Sequence, residues 1–369
     1  MSRTPCRVDA KPGSARADPA PGQSQSTADD AALHGGIANA LAQLSGASPQ
    51  EAWQALARSH LAAWPQPGAG ATLERWRALA TVAAHDLSLA KLVEGHTDAL
   101  AILRELGHVP QSPQTQRWST WAAESPGTRV LAHKAGAHAM RLSGTKSWCS
   151  GAAVTTHAVL TAWLPDGTGP QLVSVALAQP GVGISSHAWR AIGMADSASA
   201  DVQFDDVLAT PIGVPGDYLS RPGFWQGGAG IAACWWGGAR ALGVALHAAL
   251  EHMPVAARTP FRQAALGRVY VALEGCAALL RESAAWIDAH PQHGASLVAL
   301  RVRQSAEQCA RRVLDDVGRA LGATPFCRDA HFARMAADLP VFIRQSHAER
   351  DDAALGERVL AQPEVPWGL

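Results

Sequence analysis

The sequence predicts an α+β chain of several domains: an N-terminal helical domain, a middle antiparallel β-barrel or sandwich, and a C-terminal four-helix bundle. Three observations predict it. Apolar residues recur at three- and four-residue spacing from about Ala31 to Gly107. Short alternating runs then fill the stretch from about Arg117 to Pro211. Long alanine-rich segments return from Phe224 to about Gly356. The boundaries implied are a disordered leader over 1–30, then domains over 31–113, 114–215 and 216–369.

The leader is rich in Pro, Gly, Ser, Ala and Asp and has no period, so it offers too little apolar surface to offset the entropy of ordering. In Leu73-Glu74-Arg75-Trp76-Arg77-Ala78-Leu79-Ala80 the apolar positions form one helical face. A second helix is expected through Asp86-Leu87-Ser88 to Leu92. A third ends at Leu106-Gly107, where Gly suits a C-cap and Pro110 lies just beyond. In the middle domain about seven runs read as strands, among them 137–142, 157–163, 171–177 and a last one over 201–207. Ser143-Gly144, Pro165-Asp166-Gly167 and Pro180-Gly181 supply the turns between them. Four long helices are then expected over 230–250, 262–289, 297–321 and 326–355, broken at Pro254, Pro291 and Pro325.

Composition narrows the function. Of 369 residues 47% are hydrophobic and 17% charged, enough apolar material for large cores. Thirty-one basic residues balance thirty-one acidic ones. A nucleic-acid partner would need a basic excess, and none is expected. No unbroken run of eighteen apolar residues suggests a membrane span, and the N-terminus lacks a signal-peptide core. Six scattered Cys without a CxxC pair suit a reducing cytoplasm better than a disulfide framework, and no metal site is expected. Thirteen Trp stand against two Tyr and six Phe.

Two segments carry candidate chemistry. In Gly144-Thr145-Lys146-Ser147-Trp148-Cys149-Ser150-Gly151, strand alternation places Trp148 and Cys149 on opposite faces. Trp148 then either covers a planar ring or fills the barrel core. In Trp121-Ala122-Ala123-Glu124-Ser125-Pro126-Gly127-Thr128, a Pro-Gly turn flanked by hydroxyls either presents donors to a ligand or simply enters a strand.

Helices, a Glu-Ser-Pro-Gly loop, Leu-Ser-Gly-Thr-Lys-Ser-Trp-Cys-Ser-Gly, then Trp189-Arg190-Ala191-Ile192-Gly193-Met194, the 204–207 strand and a bundle containing Arg328-Asp329-Ala330 follow one another in order. Together they resemble the acyl-CoA dehydrogenase superfamily of flavoproteins, over about Ala31 to Gly356. The resemblance implies FAD lying between the β-domain and the bundle. Trp148 would lie against the isoalloxazine, Cys149 and Ser150 at its polar edge, and Glu124, Ser125 and Thr128 in the second flavin-contacting loop. Arg258 would face the FAD diphosphate, although the Gly that follows Arg-x-x-Phe in the family is Arg262 here. Dimers or tetramers formed through the bundle are also implied.

The departures matter as much. The family's catalytic Glu, two helical turns past Arg328-Asp329, falls on Ala337, and its alternative position in 230–236 holds no acid. Asp338 is the nearest carboxylate. Pro340 is expected to end or kink the helix, beyond which His347 and Glu349 could serve as acid or base, or belong to a solvated terminal helix in which His347 pairs with Asp351 or Arg344. Glu94-Gly95-His96 is a further candidate lining for the substrate cavity. Three readings remain: an FAD-dependent oxidoreductase with an atypical small-molecule substrate, an acyl thioester among the candidates; a flavin monooxygenase fed by a reductase partner; and a non-catalytic flavin-binding or assembly scaffold.

Overall fold

The computed structural model describes residues 26–59, 64–110, 112, 115–187, 189–364 and 367–368. Its architecture is the expected α+β arrangement of helices, barrel, helices. The first helical group is α1 (Ser26–Gln43), α2 (Pro49–Ser59), α3 (Thr72–His85) and α4 (Leu87–Glu105). Of the expected leader 1–30, residues 1–25 lie outside the described residues, and the backbone is already helical at Ser26. The expected boundary at 113/114 also falls outside them. The separate second and third helices are one: Asp86 caps α4 by accepting the Leu89 amide at 2.7 Å, and nothing breaks the chain before Gly107, which takes a left-handed φ of 75°.

Seven strands follow: β1 (Trp118–Trp121), β2 (Val130–Lys134), β3 (Met140–Cys149), β4 (His157–Trp163), β5 (Pro170–Ala176), β6 (Val182–Ser185) and β7 (Ala200–Ile212). Pairing runs β4–β2–β3–β7–β5 and back to β4, so the sheet closes on itself and leaves a barrel core around Leu142, Leu160, Val173 and Phe204. It is mixed rather than purely antiparallel, because β1 and β2 both run parallel to β4. Ser143-Gly144 is not a turn. β3 runs through it on a bulge, and Gly144 (φ 120°) is needed because a Cβ there would lie 2.2 Å from the Arg129 carbonyl oxygen.

The last group is α5 (Asp217–Ser220), α6 (Pro222–Ala229), α7 (Ile231–His252), α8 (Pro260–Ala289), α9 (Ser296–Leu321), α10 (Thr324–Arg328), α11 (Ala330–Phe342) and α12 (Glu349–Leu360). α7, α8 and α9 pack on one another, and α11 packs on α7. The expected fourth helix is divided into α10, α11 and α12. Pro340 does not stop α11 at once; the chain stays helical to Phe342 and tightens into a 3₁₀ turn over Ile343–Gln345. The stretch Pro222–His252 is apolar and long enough to cross a bilayer by composition, which unbroken apolar runs do not detect. Here it is mostly buried against the other helices, as a core helix would be.

The N-terminal helices continue into the bundle core through Trp76, Trp235 and Leu339. α4 joins them to the barrel. His96 is fully buried and accepts the Trp118 amide at Nδ1 (3.0 Å), while the Thr120 hydroxyl donates to the Gly95 carbonyl (3.1 Å). His96 therefore ties α4 to β1. Burial lowers its pKa from 6.5 to about 4. Between those values the unfolded chain takes up a proton that the folded chain refuses, so stability falls as pH drops through that window, by on the order of 2–3 kcal/mol. Urea unfolding between pH 7 and pH 4 should show this loss, and His96→Gln should flatten it.

Candidate functional site

At the end of β3 the ordinary alternation fails. Its register against β7 slips between Lys146 and Cys149, and Trp148 takes a left-handed φ of 59°. Lys146 and Cys149 turn inward and Ser147 is buried beside them, whereas Trp148 is 54% exposed. The indole thus stands outside the barrel core. A cleft of about 150 Å³ opens beside it, lined by Ser147, Trp148, Trp189, Ala200 and Asp201. The Ser147 hydroxyl lies 3.2 Å from that of Thr128, which brings the Ser125–Thr128 turn to the rim. Ser125 closes this turn by accepting the Thr128 amide at its carbonyl. The Ser150 hydroxyl bonds that of Ser199 (3.1 Å), at the start of the segment that leads to Ala200 and Asp201.

The remaining expected cofactor residues are placed differently. The Cys149 side chain belongs to the barrel core, and burial pushes its thiol above the ordinary range, so the thiol does not reach the cleft. Glu124 accepts from Lys146 Nζ (2.8 Å), Thr161 Oγ1 (2.6 Å) and Trp163 Nε1 (3.2 Å). Burial alone would raise its carboxyl, but these donors outweigh it and hold the pKa below the ordinary range. Its partner Lys146 is 3% exposed, and its ammonium also donates to the Thr161 carbonyl and hydroxyl. Glu124 is the counter-ion of a buried lysine, with both its oxygens engaged by protein. Arg258 donates to the carbonyls of Met253 (2.9 Å) and Glu251 (2.7 Å), capping the end of α7, while Arg262 bonds the carbonyls of Ala257 and Ala320.

The three expected catalytic side chains do not converge. Asp338 on α11 is 3% exposed and accepts the Met194 amide at 2.5 Å. Burial raises its pKa, opposed by that N–H. His347 and Glu349 are exposed at the start of α12, where Glu349 favours the helix dipole. His347 Nδ1 lies 3.4 Å from Asp351, and Arg344 bonds Glu307 rather than His347. Ala337 is exposed and carries no ionisable group, and its carbonyl packs so closely on Gly193 that a Cβ there would lie 2.1 Å from the oxygen. Segment 230–236 offers no acid either. Of the candidate lining Glu94-Gly95-His96, Glu94 pairs with Lys91 (2.7 Å) and His96 braces β1. Among the described residues no cluster of His, Cys, Asp or Glu could hold a metal ion.

Trp189 and Asp201 are the site residues that sequence reasoning missed, although Trp189 opens one of the quoted motifs. Their signal is not local: the pairing of β7 with β3 brings Asp201 beside Trp148, and Trp189 follows β6, which pairs with β7. The site makes one claim directly testable. Removing Glu124 strands a buried ammonium, so Glu124→Ala should cost about 1–3 kcal/mol, the carboxylate being partly in solvent. Thermal unfolding should show Lys146→Met recovering part of that loss in the double variant.

No protein-family model matches the chain, and no curated protein matches its sequence. Solved structures do match. Butyryl-CoA dehydrogenase from Megasphaera elsdenii superposes with a TM-score of 0.77 at 14% identity, covering 92% of this chain and 99% of that one. FMN-bound TdsC from Paenibacillus sp. A11-2, a dibenzothiophene monooxygenase, gives 0.75 at 17% identity, covering 92% and 99%. KijD3, in complex with FMN and a dTDP-linked amino-keto sugar, gives 0.71 at 19%, covering 92% and 94%. The chain has the fold of the acyl-CoA dehydrogenase superfamily.

Proposed function

From that fold, we propose that the chain is a flavin-dependent oxidoreductase acting on a small organic molecule, and that it works with dioxygen rather than by abstracting a proton beside a thioester. The observation that carries the second part is the missing base. Both positions where the fold's dehydrogenases place a Glu are without a carboxylate, and the neighbouring Asp338 is buried on a backbone amide. The monooxygenase of the same fold lends support.

The cleft fits the edge of a planar ring. Two indoles, Trp148 and Trp189, wall it with apolar surface; Ser147 and Thr128 offer hydroxyls, and Asp201 an acceptor for a ring N–H. A bound flavin supplies the two-electron redox chemistry. The protein's own residues orient the ring, shed water from the indole walls and accept or donate hydrogen bonds at its edge. Because Arg258 and Arg262 are engaged by carbonyls of their own chain, we take the cofactor to be FMN in place of the FAD that the resemblance implies. KijD3 and TdsC bind FMN. For a monooxygenase whose flavin is not reduced by its own substrate the electrons come from outside, and we take the source to be a reductase partner. A homodimer or homotetramer is in keeping with the apolar Val244, Phe261, Tyr270 and Val271 exposed on α7 and α8. Five free cysteines among the described residues accord with a reducing cytoplasm.

The purified protein should bind FMN and show a flavin absorption spectrum, and anaerobic titration with a panel of acyl thioesters should not bleach it. Bleaching by any thioester would overturn the oxygen-using reading, and failure to bind either flavin would overturn the flavin. Trp148→Ala should weaken FMN binding roughly tenfold to a hundredfold, with Trp148→Phe close to wild type.

A further inference from the structure

A second indole in the cleft lining, beside Trp148, is Trp189, carried on the segment 189–199, which has only one 3₁₀ turn of regular structure. That segment is strained: Met194 and Ala198 both adopt left-handed backbone, with φ of 59° and 48°. Such residues persist only where the surroundings over-determine them. Here the bonds converge on one residue, Met194. The Met194 carbonyl accepts from Trp189 Nε1 (3.3 Å), from the Ser197 hydroxyl (2.8 Å) and from the Ser197 amide (3.2 Å). Its N–H donates to Asp338 Oδ1, 144 residues away in sequence. The neighbouring Asp196 is gripped from two more directions, by Arg334 of α11 at its carboxylate and by Gln50 of α2 at its carbonyl (2.6 Å). A relay of hydroxyls, Ser197 to Ser199 to Ser150, returns the segment to the end of β3.

We infer that Asp338 is a positioning residue: by holding the Met194 amide it fixes the residue whose carbonyl receives the Trp189 indole N–H, and so sets the width of the ring-binding cleft. This role takes the place of the acid–base role that its sequence position suggests. Its consequence for the cofactor rests on the flavin reading above, whereas the clamp itself stands on this chain's geometry alone. Asp338→Asn keeps one acceptor oxygen for the Met194 amide, and Asp338→Ala keeps none.

The test combines amide hydrogen exchange over 189–199 in the flavin-free full chain with FMN affinity, read from quenching of flavin fluorescence. Asp338→Ala should speed exchange of the Met194 amide and its neighbours about tenfold to a hundredfold and weaken FMN binding by a similar factor, while Asp338→Asn stays within about threefold of wild type on both. A general loss of stability would instead speed exchange across the barrel and bundle alike. That result, or unchanged exchange over 189–199, would overturn the inference. Should Asp338→Ala fail to fold, Trp189→Phe removes the indole N–H from the Met194 carbonyl together with one ring of the cleft wall, so exchange over 189–199 is the deciding readout. It should loosen the same segment and weaken FMN binding, and unchanged exchange would likewise overturn the inference. If the wild-type chain takes up no FMN, the flavin reading falls, and the exchange comparison still decides the clamp.

Discussion

A left-handed backbone at Trp148 is the constraint from which the candidate site follows. Had β3 kept its two-residue period to its end, Trp148 would share a face with Lys146, which is buried on Glu124 and Thr161. The bulge against β7 breaks that rule for one residue. It lets Lys146 and Cys149 both turn inward and leaves the indole outside, beside Ala200 and Asp201 of the partner strand. Positive φ is costly for a bulky side chain. It is sustained here by a closed barrel on one side and by the Ser150–Ser199 bond just beyond.

The acidic groups around the site tell a consistent story. Glu124 neutralises Lys146, Asp338 receives the Met194 amide, Asp196 receives Arg334, and Glu94 pairs with Lys91. Each has a structural partner that fixes it in place. A carboxylate so engaged is poorly suited to move a proton, because leaving its partner would strand a buried donor or charge. Asp201 is the carboxylate that lines the cleft, and it lies on β7 rather than on α11. Chemistry in which protein groups orient and shelter reactants suits this arrangement better than chemistry that turns on a side-chain base.

Much of the fold was legible from local pattern. β4 coincides with its alternating run, and the Ala-rich periods locate α7, α8 and α9 closely, because hydrophobic period and capping are local properties. What was misread depends on distant contacts. Gly144 looks like a turn residue, and only the approach of the Arg129 carbonyl shows why a strand needs glycine there. The fusion of two expected helices into α4 follows from a single cap at Asp86. At the site, Trp148 stands out by its motif, whereas the engagement of Arg258 with its own turn and of Asp338 with Met194 joins residues whose pairing no sequence window contains. Asp338, His347 and Glu349 look like neighbours on a helix. Pro340 and the 3₁₀ turn after it carry the last two away to solvent.

The two walls of the cleft belong to different parts of the molecule. Trp148 is set by the barrel, while Trp189 is set by a segment pinned from α11 in the bundle and α2 in the N-terminal group. The gap between the indoles is therefore a packing distance among all three units, and α4, braced to β1 through His96, keeps the N-terminal group and barrel in register. A site made in this way separates two demands. The grip on a planar ring depends on backbone conformation and long-range bonds, which constrain the whole fold together. The reaction depends on what side chain stands at a position such as 337, which can change from Glu to Ala with little consequence for that grip. Loss of a base need not entail loss of the cofactor, and this is the physical reason for reading the chain as a flavoprotein with altered chemistry rather than as an empty scaffold.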